Sequence, residues 1–278
     1  MLFKILGPLQ VRGIDEMGSS VRRAILTAFL LRPRQTIGVA ELSELLWDDP
    51  PASATANIRS HLTGLRRSLD EAGPGLSHRL KTFRGGRSGY GLQVDPDEFD
   101  LPRFTLAARH GRNMLLRGEA ARAVTTLEDA MALWRGPFGQ ELPPTRWFNA
   151  HVAGLNNARF DALQDLFAAR ILADRTELLS LRIESAIAEA PYRQRLWELL
   201  AAVHCIHGDA ASALSVIKRC QRLFADDLGL GLPPHVEAMQ LAALNWNGDQ
   251  ARRLVAAHAL APDGELPART TEAQPLLS

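Results

Sequence analysis

The sequence predicts a mainly α-helical protein with a small β component, in which a winged helix-turn-helix domain precedes an all-α, tetratricopeptide-like helical-repeat domain. Three observations favour this fold: three helix patterns followed by a glycine-rich strand pair near the N-terminus, helical periodicity from Asp100 onward, and an internal repeat in that second part. The predicted domains are residues 1–95 and 96–246. Residues 247–278, rich in Pro, Ala and Thr toward their end, are expected to form a partly disordered tail.

The composition is that of an ordinary globular protein, with 46% hydrophobic and 23% charged residues in a chain of 278. No apolar run reaches the roughly 18 residues that a membrane span needs, and Gly7-Pro8 interrupts any signal-peptide pattern, so we expect a cytoplasmic protein without a membrane partner. Cys205 and Cys220 lack the paired spacing of a zinc site and are expected in the core, without a disulfide.

Positive charge is concentrated near the N-terminus. Residues 1–95 contain 13 basic and 9 acidic residues, a net +4, although the whole chain has a net charge of only +1. Residues 53–94 contain seven basic residues and only two acidic ones. This excess is typical of a surface that binds a polyanion, although a solvated basic surface gives the same count.

The first domain begins with an alternating apolar pattern around Gly7-Pro8, which predicts a short strand pair formed by Phe3, Ile5, Leu9 and Val11. Three helices are predicted next, over about residues 19–31, 40–47 and 53–70. Ser19 or Ser20 can cap the first helix, and Pro33 stops it.

The third helix has two chemically distinct sides. Its apolar residues fall within about 60° of one another and are expected to face the core: Ile58, Leu62, Leu65 and Leu69. Small, polar and basic side chains lie elsewhere on it and can enter the major groove of DNA: Ser53, Thr55, Ala56, Asn57, Arg59, Ser60, Thr63, Arg66 and Arg67. A merely solvated helix face would favour Glu and Lys, and their absence here favours DNA.

Residues 80–94 predict two strands joined by a glycine-rich turn, which we interpret as the wing of the domain. Its polar and basic residues are expected to contact phosphates or the minor groove: Lys81, Thr82, Arg84 and Arg87. A nucleotide-binding phosphate loop is a weaker interpretation, because these glycines do not open a helix and no Lys-Ser/Thr pair follows them.

The second domain contains an internal repeat in which residues 118–134 align with residues 208–224. A weaker copy lies 34 residues before the second one, and 34 residues is the tetratricopeptide period. Such repeats stack helical hairpins whose free surface commonly binds protein. Trp134, Trp197 and Phe224 are expected to pack between the helices.

No group of residues predicts catalysis. The eight histidines are scattered, and His204 and His207, which share a helix face, lack a third ligand for a metal. We therefore expect neither an enzyme nor a bound metal or cofactor. Two other functions stay open: a helical-repeat scaffold whose winged helix binds protein instead of DNA, and an enzyme that uses a pocket of the helical array.

Seven segments together resemble the Streptomyces antibiotic regulatory proteins across roughly residues 2 to 246; they are residues 22–26, 51–57, 65–69, 89–92, 132–137, 190–193 and 227–230. The resemblance implies an OmpR-type DNA-binding domain and a bacterial transcriptional activation domain in a short-form family member. It also implies an activator that binds direct repeats in double-stranded promoter DNA of antibiotic or other secondary-metabolite genes, as a homodimer on DNA. RNA polymerase, including its sigma factor, is the further partner implied.

The sequence departs from the family pattern at two places. Gly64 stands where the family often has an arginine, which removes one possible DNA contact and costs a helix interior about 1 kcal/mol relative to alanine. The segment from Arg84 to Ser88 is longer than usual for the family wing.

Overall fold

The computed structural model describes residues 1–15, 17–85 and 88–260. Its contacts divide the chain into two compact units: the first contains Met1–Arg109 and Glu128–Asp161, and the second contains His110–Leu127 and the described residues from Ala162 onward. The first unit thus includes two segments that the sequence assigns to the second domain. The boundaries at residues 95 and 246 stay predictions. Among the described residues, every helix is too short or too polar to cross a membrane.

The predicted N-terminal strand pair is present but short: β1 (Phe3–Lys4) pairs antiparallel with β2 (Gln10–Val11). Pairing stops after Lys4 because the next two N–H groups, of Ile5 and Leu6, donate to the carboxylate of Asp100 at 2.9 and 3.0 Å. Gly7 then turns the backbone with a φ of 116°.

Asp100 is a buried anchor of this first unit, with only 1% of its surface exposed. Burial raises the pKa of its carboxyl, and the two N–H donors and Arg135, 3.8 Å away, oppose that rise. The carboxylate is therefore paired on several sides, as a buried charge must be.

Three helices follow, α1 (Ser20–Leu31), α2 (Val39–Leu46) and α3 (Ala54–Ala72), close to their predicted positions. The Ser19 hydroxyl accepts a 3.3 Å hydrogen bond from the backbone N–H of Arg22 and caps α1. α3 packs against both other helices. Its predicted apolar stripe is confirmed, because the four residues Ile58, Leu62, Leu65 and Leu69 are each at most 1% exposed.

The predicted wing is confirmed as an antiparallel pair, β3 (Leu80–Phe83) and β4 (Gly89–Leu92), with Leu80 opposite Leu92. A third segment joins it: Ile37 and Tyr90 exchange two backbone hydrogen bonds of 2.8 and 2.9 Å. A side chain at Gly89 would place Cβ 2.5 Å from the carbonyl oxygen of Ile37. Only glycine therefore permits this close approach.

Eight further α-helices follow in the described chain: α4 (Asp100–Leu116), α5 (Ala120–Met131), α6 (Arg146–Leu172), α7 (Leu179–Glu189), α8 (Gln194–Ile206), α9 (Ala210–Leu228), α10 (Pro234–Leu244) and α11 (Gly248–Leu260). The last of these helices lies in the segment that the sequence assigns to the tail. Residues 261–278, the rest of that segment, lie outside the described residues.

The internal repeat has a common backbone feature. Gly118 and Gly208 open the turns before α5 and α9 with φ of 74° and 75°, and Asp174, the aligned residue of the weaker copy, has φ of 58°. Left-handed conformation is easiest for glycine and is tolerated by aspartate. The three aligned positions thus make the same kind of turn, as the alignment predicts.

Helix α8 is the centre of the second unit, in contact with α7, α9, α10 and α11. Cys205 and Cys220 are buried, as predicted, and burial raises their pKa values to about 11 and about 12, respectively. Both thiols therefore stay protonated at neutral pH. Trp197 and Phe224 are also buried, at 4% and 2% exposed.

Candidate nucleic-acid interface

The outer side of α3 and the residue before it carry most of the predicted site residues. Eight of them are exposed: Ser53, Thr55, Ala56, Asn57, Arg59, Ser60, Thr63 and Arg67. No acidic residue occurs between Pro50 and Leu69. The apolar stripe fixes this orientation, because the side that is not buried must face outward.

Local hydrogen bonds order the polar part of this surface. The Asn57 amide donates to the Ser53 hydroxyl at 3.2 Å, and the Thr63 hydroxyl donates to the Arg59 carbonyl at 3.0 Å. Within the described ranges, the guanidinium groups of Arg59 and Arg67 form no ion pair or hydrogen bond with the protein. Their donors are therefore available to an external acceptor, for which the bidentate geometry of arginine suits guanine or phosphate.

Arg66 differs from its neighbours because it contacts the wing. Its Nη2 donates to the Leu80 carbonyl at 3.0 Å and to the Thr82 hydroxyl at 2.7 Å, and its guanidinium carbon lies 5.7 Å from the centre of the Tyr90 ring. The structure thus brings together two predicted site residues, Arg66 and Thr82. It gives Arg66 a positioning contact that the helical pattern does not reveal.

Arg22 of α1 is a further basic residue beside α3, and the sequence analysis missed it. Its Nη1 donates to the Ser68 hydroxyl at 3.2 Å, and a Cβ at Gly64 would lie 2.5 Å from its Nη2. Gly64 therefore leaves room for a guanidinium delivered from another helix, near the position where the family often has an arginine. The glycine inside a strong helix pattern was the available signal.

His61 lies next to this arginine and is partly buried. Its Nδ1 is 3.4 Å from the Ser19 hydroxyl. Burial lowers the pKa of His61, and the positive charge of Arg22 lowers it further. His61 is therefore neutral at pH 7, and the positive charge near α3 comes from its arginines.

The wing contributes the exposed side chains of Lys81, Thr82 and Arg84. Within the described ranges, Lys81 and Arg84 form no ion pair with a protein carboxylate. Arg87, the fourth predicted wing residue, lies outside the described residues. The described wing therefore adds two free cations to those of α3, an arrangement that can hold a polyanion.

Two family models match the chain. Residues 99–244 match the bacterial transcriptional activator domain, and residues 18–92 match the C-terminal domain of transcriptional regulatory proteins. Regulatory protein AfsR of Streptomyces coelicolor is 31% identical over 247 residues, which are 86% of this chain and 24% of that protein. The chain belongs to the Streptomyces antibiotic regulatory protein (SARP) family. The resemblance inferred from the motifs is confirmed.

Other proteins similar to this SARP chain are also described as regulators. Transcriptional regulatory protein MoaR1 of Mycobacterium tuberculosis is 27% identical over 242 residues, covering 85% of this chain and 77% of that protein. A solved structure of Mycobacterium tuberculosis EmbR, in complex with a low-affinity phosphopeptide, matches with a TM-score of 0.79 at 27% identity, over 92% of this chain and 69% of that one. These matches confirm the predicted fold class and identify the SARP chain as a DNA-binding transcription regulator.

Proposed function

We propose that this SARP chain is a sequence-specific activator whose α3 reads base edges in the major groove of promoter DNA. The observation that carries the proposal is the exposed side of α3 between Ser53 and Arg67, which has no carboxylate and on which Arg59 and Arg67 have no partner within the described residues. The exposed acidic residues of the helix, Asp70 and Glu71, lie in its last turn. Small side chains such as Ala56 allow the backbone to approach the base edges closely. Arginine can then contact guanine through two hydrogen bonds.

The wing has a different role in this proposal. Lys81 and Arg84 contact phosphates, which fixes the position of α3 on the duplex and adds affinity that does not depend on sequence. Arg66 holds the wing strand against α3 through Thr82 and the Leu80 carbonyl. The two DNA-contacting parts therefore have a fixed spacing before DNA binds.

Family membership supports the finer parts of this proposal. The target is a pair of direct repeats near promoters of antibiotic or other secondary-metabolite genes, bound by two copies of the chain. The helical repeats then recruit RNA polymerase through its sigma factor. The free outer surface of such repeats is a common protein-binding surface, and this supports the assignment.

Footprinting and mobility shifts with the full-length chain test the proposal. The probe is the DNA around the gene itself, and we expect protection of two repeats spaced by about one helical turn. Affinity should fall steeply with salt, with a log–log slope of about −0.9 for each phosphate neutralised. Arg182 is an exposed arginine on α7, outside the candidate interface, and the Arg182→Ala variant should bind this DNA as the wild type does. Absence of salt-dependent binding to this DNA would instead favour a protein-binding scaffold.

A further inference from the structure

Three helices of the second unit place a carboxylate and two imidazoles together. They are Glu198 on α8, His235 on α10 and His258 on α11, and their potential ligand atoms all lie within 4.8 Å of one another. Glu198 is only 1% exposed, whereas both histidines are partly exposed. The three residues lie far apart in the sequence, so no motif predicts the cluster.

Contacts within the cluster already orient the side chains. The Nδ1 atom of His258 lies 2.5 Å from Oε2 of Glu198, and the rings of His235 and His258 stack with centroids 3.9 Å apart. A buried carboxylate needs a partner, and His258 supplies one. A metal ion bound between the three side chains would replace this hydrogen bond, so that each of them supplies one ligand atom.

The charges around the cluster bear on cation binding. The carboxylate of Glu198 supplies a negative charge at the site, and a neutral imidazole has the lone pair that coordinates a transition metal. Arg195 is a nearby positive charge that would oppose a cation, but its Nη1 lies 3.5 Å from the carboxylate of Asp165, which offsets part of that charge.

We propose that Glu198, His235 and His258 form a binding site for Zn²⁺. Two histidines and one carboxylate are a common zinc ligand set, with water as the fourth ligand. Tetrahedral ligands at zinc distances lie about 3.4 Å apart. The stacked imidazoles of His235 and His258 would rotate out of their parallel planes on binding, so that both ring nitrogens point at one ion. The partly exposed histidines give the ion a route from solvent.

A bound ion would join three helices. α10 and α11 each pack against α8, and each contributes one histidine to the carboxylate on α8. Zinc would therefore stabilise the C-terminal half of the second unit. This role does not depend on the proposed DNA-binding function, because the candidate interface belongs to the first unit. The sequence predicts no metal, so a zinc site here would depart from that expectation.

Metal titration of the untagged, chelator-treated full-length chain tests the site. We expect one Zn²⁺ per chain in competition with a chromophoric chelator, a rise in Tm with zinc, and visible absorption bands when Co²⁺ replaces zinc. His235→Gln and His258→Gln should each weaken binding at least tenfold. His110→Gln, an exposed histidine of the same unit, is the matched control and should bind as the wild type does.

A second measurement keeps the proposal testable if a variant fails to fold. X-ray absorption of the zinc-loaded wild type should show nitrogen and oxygen ligands with imidazole scattering from two histidines. Sulfur ligands would assign the metal to Cys205 or Cys220 and overturn the proposal. Wild type that binds no zinc, or folded His235→Gln and His258→Gln variants that bind zinc normally, would overturn it as well.

Discussion

The guanidinium of Arg66 donates a 2.7 Å hydrogen bond to the Thr82 hydroxyl and so joins α3 to the wing strand β3. The same Nη2 also donates to the Leu80 carbonyl at 3.0 Å. A residue on the predicted recognition helix is therefore already engaged by the protein. A direct DNA contact from Arg66 would have to compete with these bonds, which makes its positioning role testable.

Replacing Arg66 should lower the free energy of unfolding more than replacing Thr82. Arg66→Met removes a charged donor with two acceptors and should lower the free energy of unfolding by about 1.5–3 kcal/mol. Thr82→Val keeps the shape, removes one acceptor and should cost about 0.5–1.5 kcal/mol. Urea unfolding measures both. If Arg66→Met binds DNA poorly but is as stable as the wild type, then Arg66 serves DNA contact and not wing position.

Arg59, Arg67 and Arg84, for which the described residues provide no partner, should separate into two classes in DNA binding. Arg59→Ala or Arg67→Ala should weaken binding to the specific site by about 1–3 kcal/mol if the side chain contacts a base. Arg84→Ala should weaken all sequences similarly and reduce the salt slope by about 1, because it removes a phosphate contact. Titrations of specific and scrambled duplexes at several salt concentrations measure both effects.

The specific-to-scrambled affinity ratio is the deciding quantity in that experiment. Arg182→Ala should leave both the ratio and the salt slope unchanged. If Arg59→Ala and Arg67→Ala also leave the ratio unchanged, the assignment of α3 to the major groove is wrong, even if overall affinity falls.

Gly64 and Arg22 should be energetically coupled. Alanine in place of a helix-interior glycine gains about 1 kcal/mol, but here its Cβ would lie 2.5 Å from the Arg22 guanidinium and would displace it from Ser68. Gly64→Ala should therefore give little or no stabilisation in the wild type. In an Arg22→Met background it should stabilise by about 1 kcal/mol. Equal effects in the two backgrounds, measured by urea unfolding, would show that the two residues do not interact.

The sequence predicts the elements of the fold well because their signals are local. The Ile58–Leu69 stripe has helical periodicity, Ser19 has the chemistry of a helix cap, and the turn glycines Gly118 and Gly208 repeat at aligned positions. The early end of β1 could not be predicted in this way. It depends on the Asp100 carboxylate, which is 95 residues away from Ile5 in the chain.

The sequence also predicts the local features of the candidate interface but not its long-range contacts. Helical periodicity separates the exposed from the buried side of α3, so the exposure of residues such as Arg59 and Arg67 follows from the sequence. Periodicity does not reveal where a long side chain ends. The engagement of Arg66 by Thr82, the approach of Arg22 to Gly64 and the histidine cluster around Glu198 therefore required the structure.

The ion pair between Glu184 of α7 and Arg219 of α9 should make stability depend on pH. Two hydrogen bonds of 2.7 and 2.9 Å join the groups, and those from Arg219 lower the pKa of Glu184 below its ordinary value of 4.5. The folded protein thus holds this proton more weakly than the unfolded chain. The stabilisation is present above pH 4.5 and is lost as the pH falls through the folded pKa.

Glu184→Gln isolates that contribution. More than a third of each side chain is exposed, so solvent screening limits the effect to about 0.2–1 kcal/mol at neutral pH. Urea unfolding between neutral pH and about pH 3.5 should show the difference from the wild type shrinking in acid. Glu177→Gln, an exposed glutamate before α7, should show no such trend. A Glu184→Gln difference that stays constant with pH would mean that charge is not its cause.

Among the wing glycines that the structure describes, Gly89 should be the least tolerant of a side chain. Its Cβ would lie 2.5 Å from the carbonyl oxygen and 2.8 Å from the carbonyl carbon of Ile37, whose backbone is bonded twice to Tyr90. Neither backbone can move without breaking these bonds, so Gly89→Ala should cost about 1–3 kcal/mol. In contrast, Gly154 of α6 has open space around it, and Gly154→Ala should stabilise by about 1 kcal/mol.

Because strain at Gly89 would shift β4 and the wing, Gly89→Ala should also weaken DNA binding, whereas Gly154→Ala should not. Wild-type stability of Gly89→Ala in urea would mean that pairing with Ile37 does not hold the wing. The spacing between the wing and α3 would then rest on Arg66 and on the buried side chains of Leu80 and Leu92.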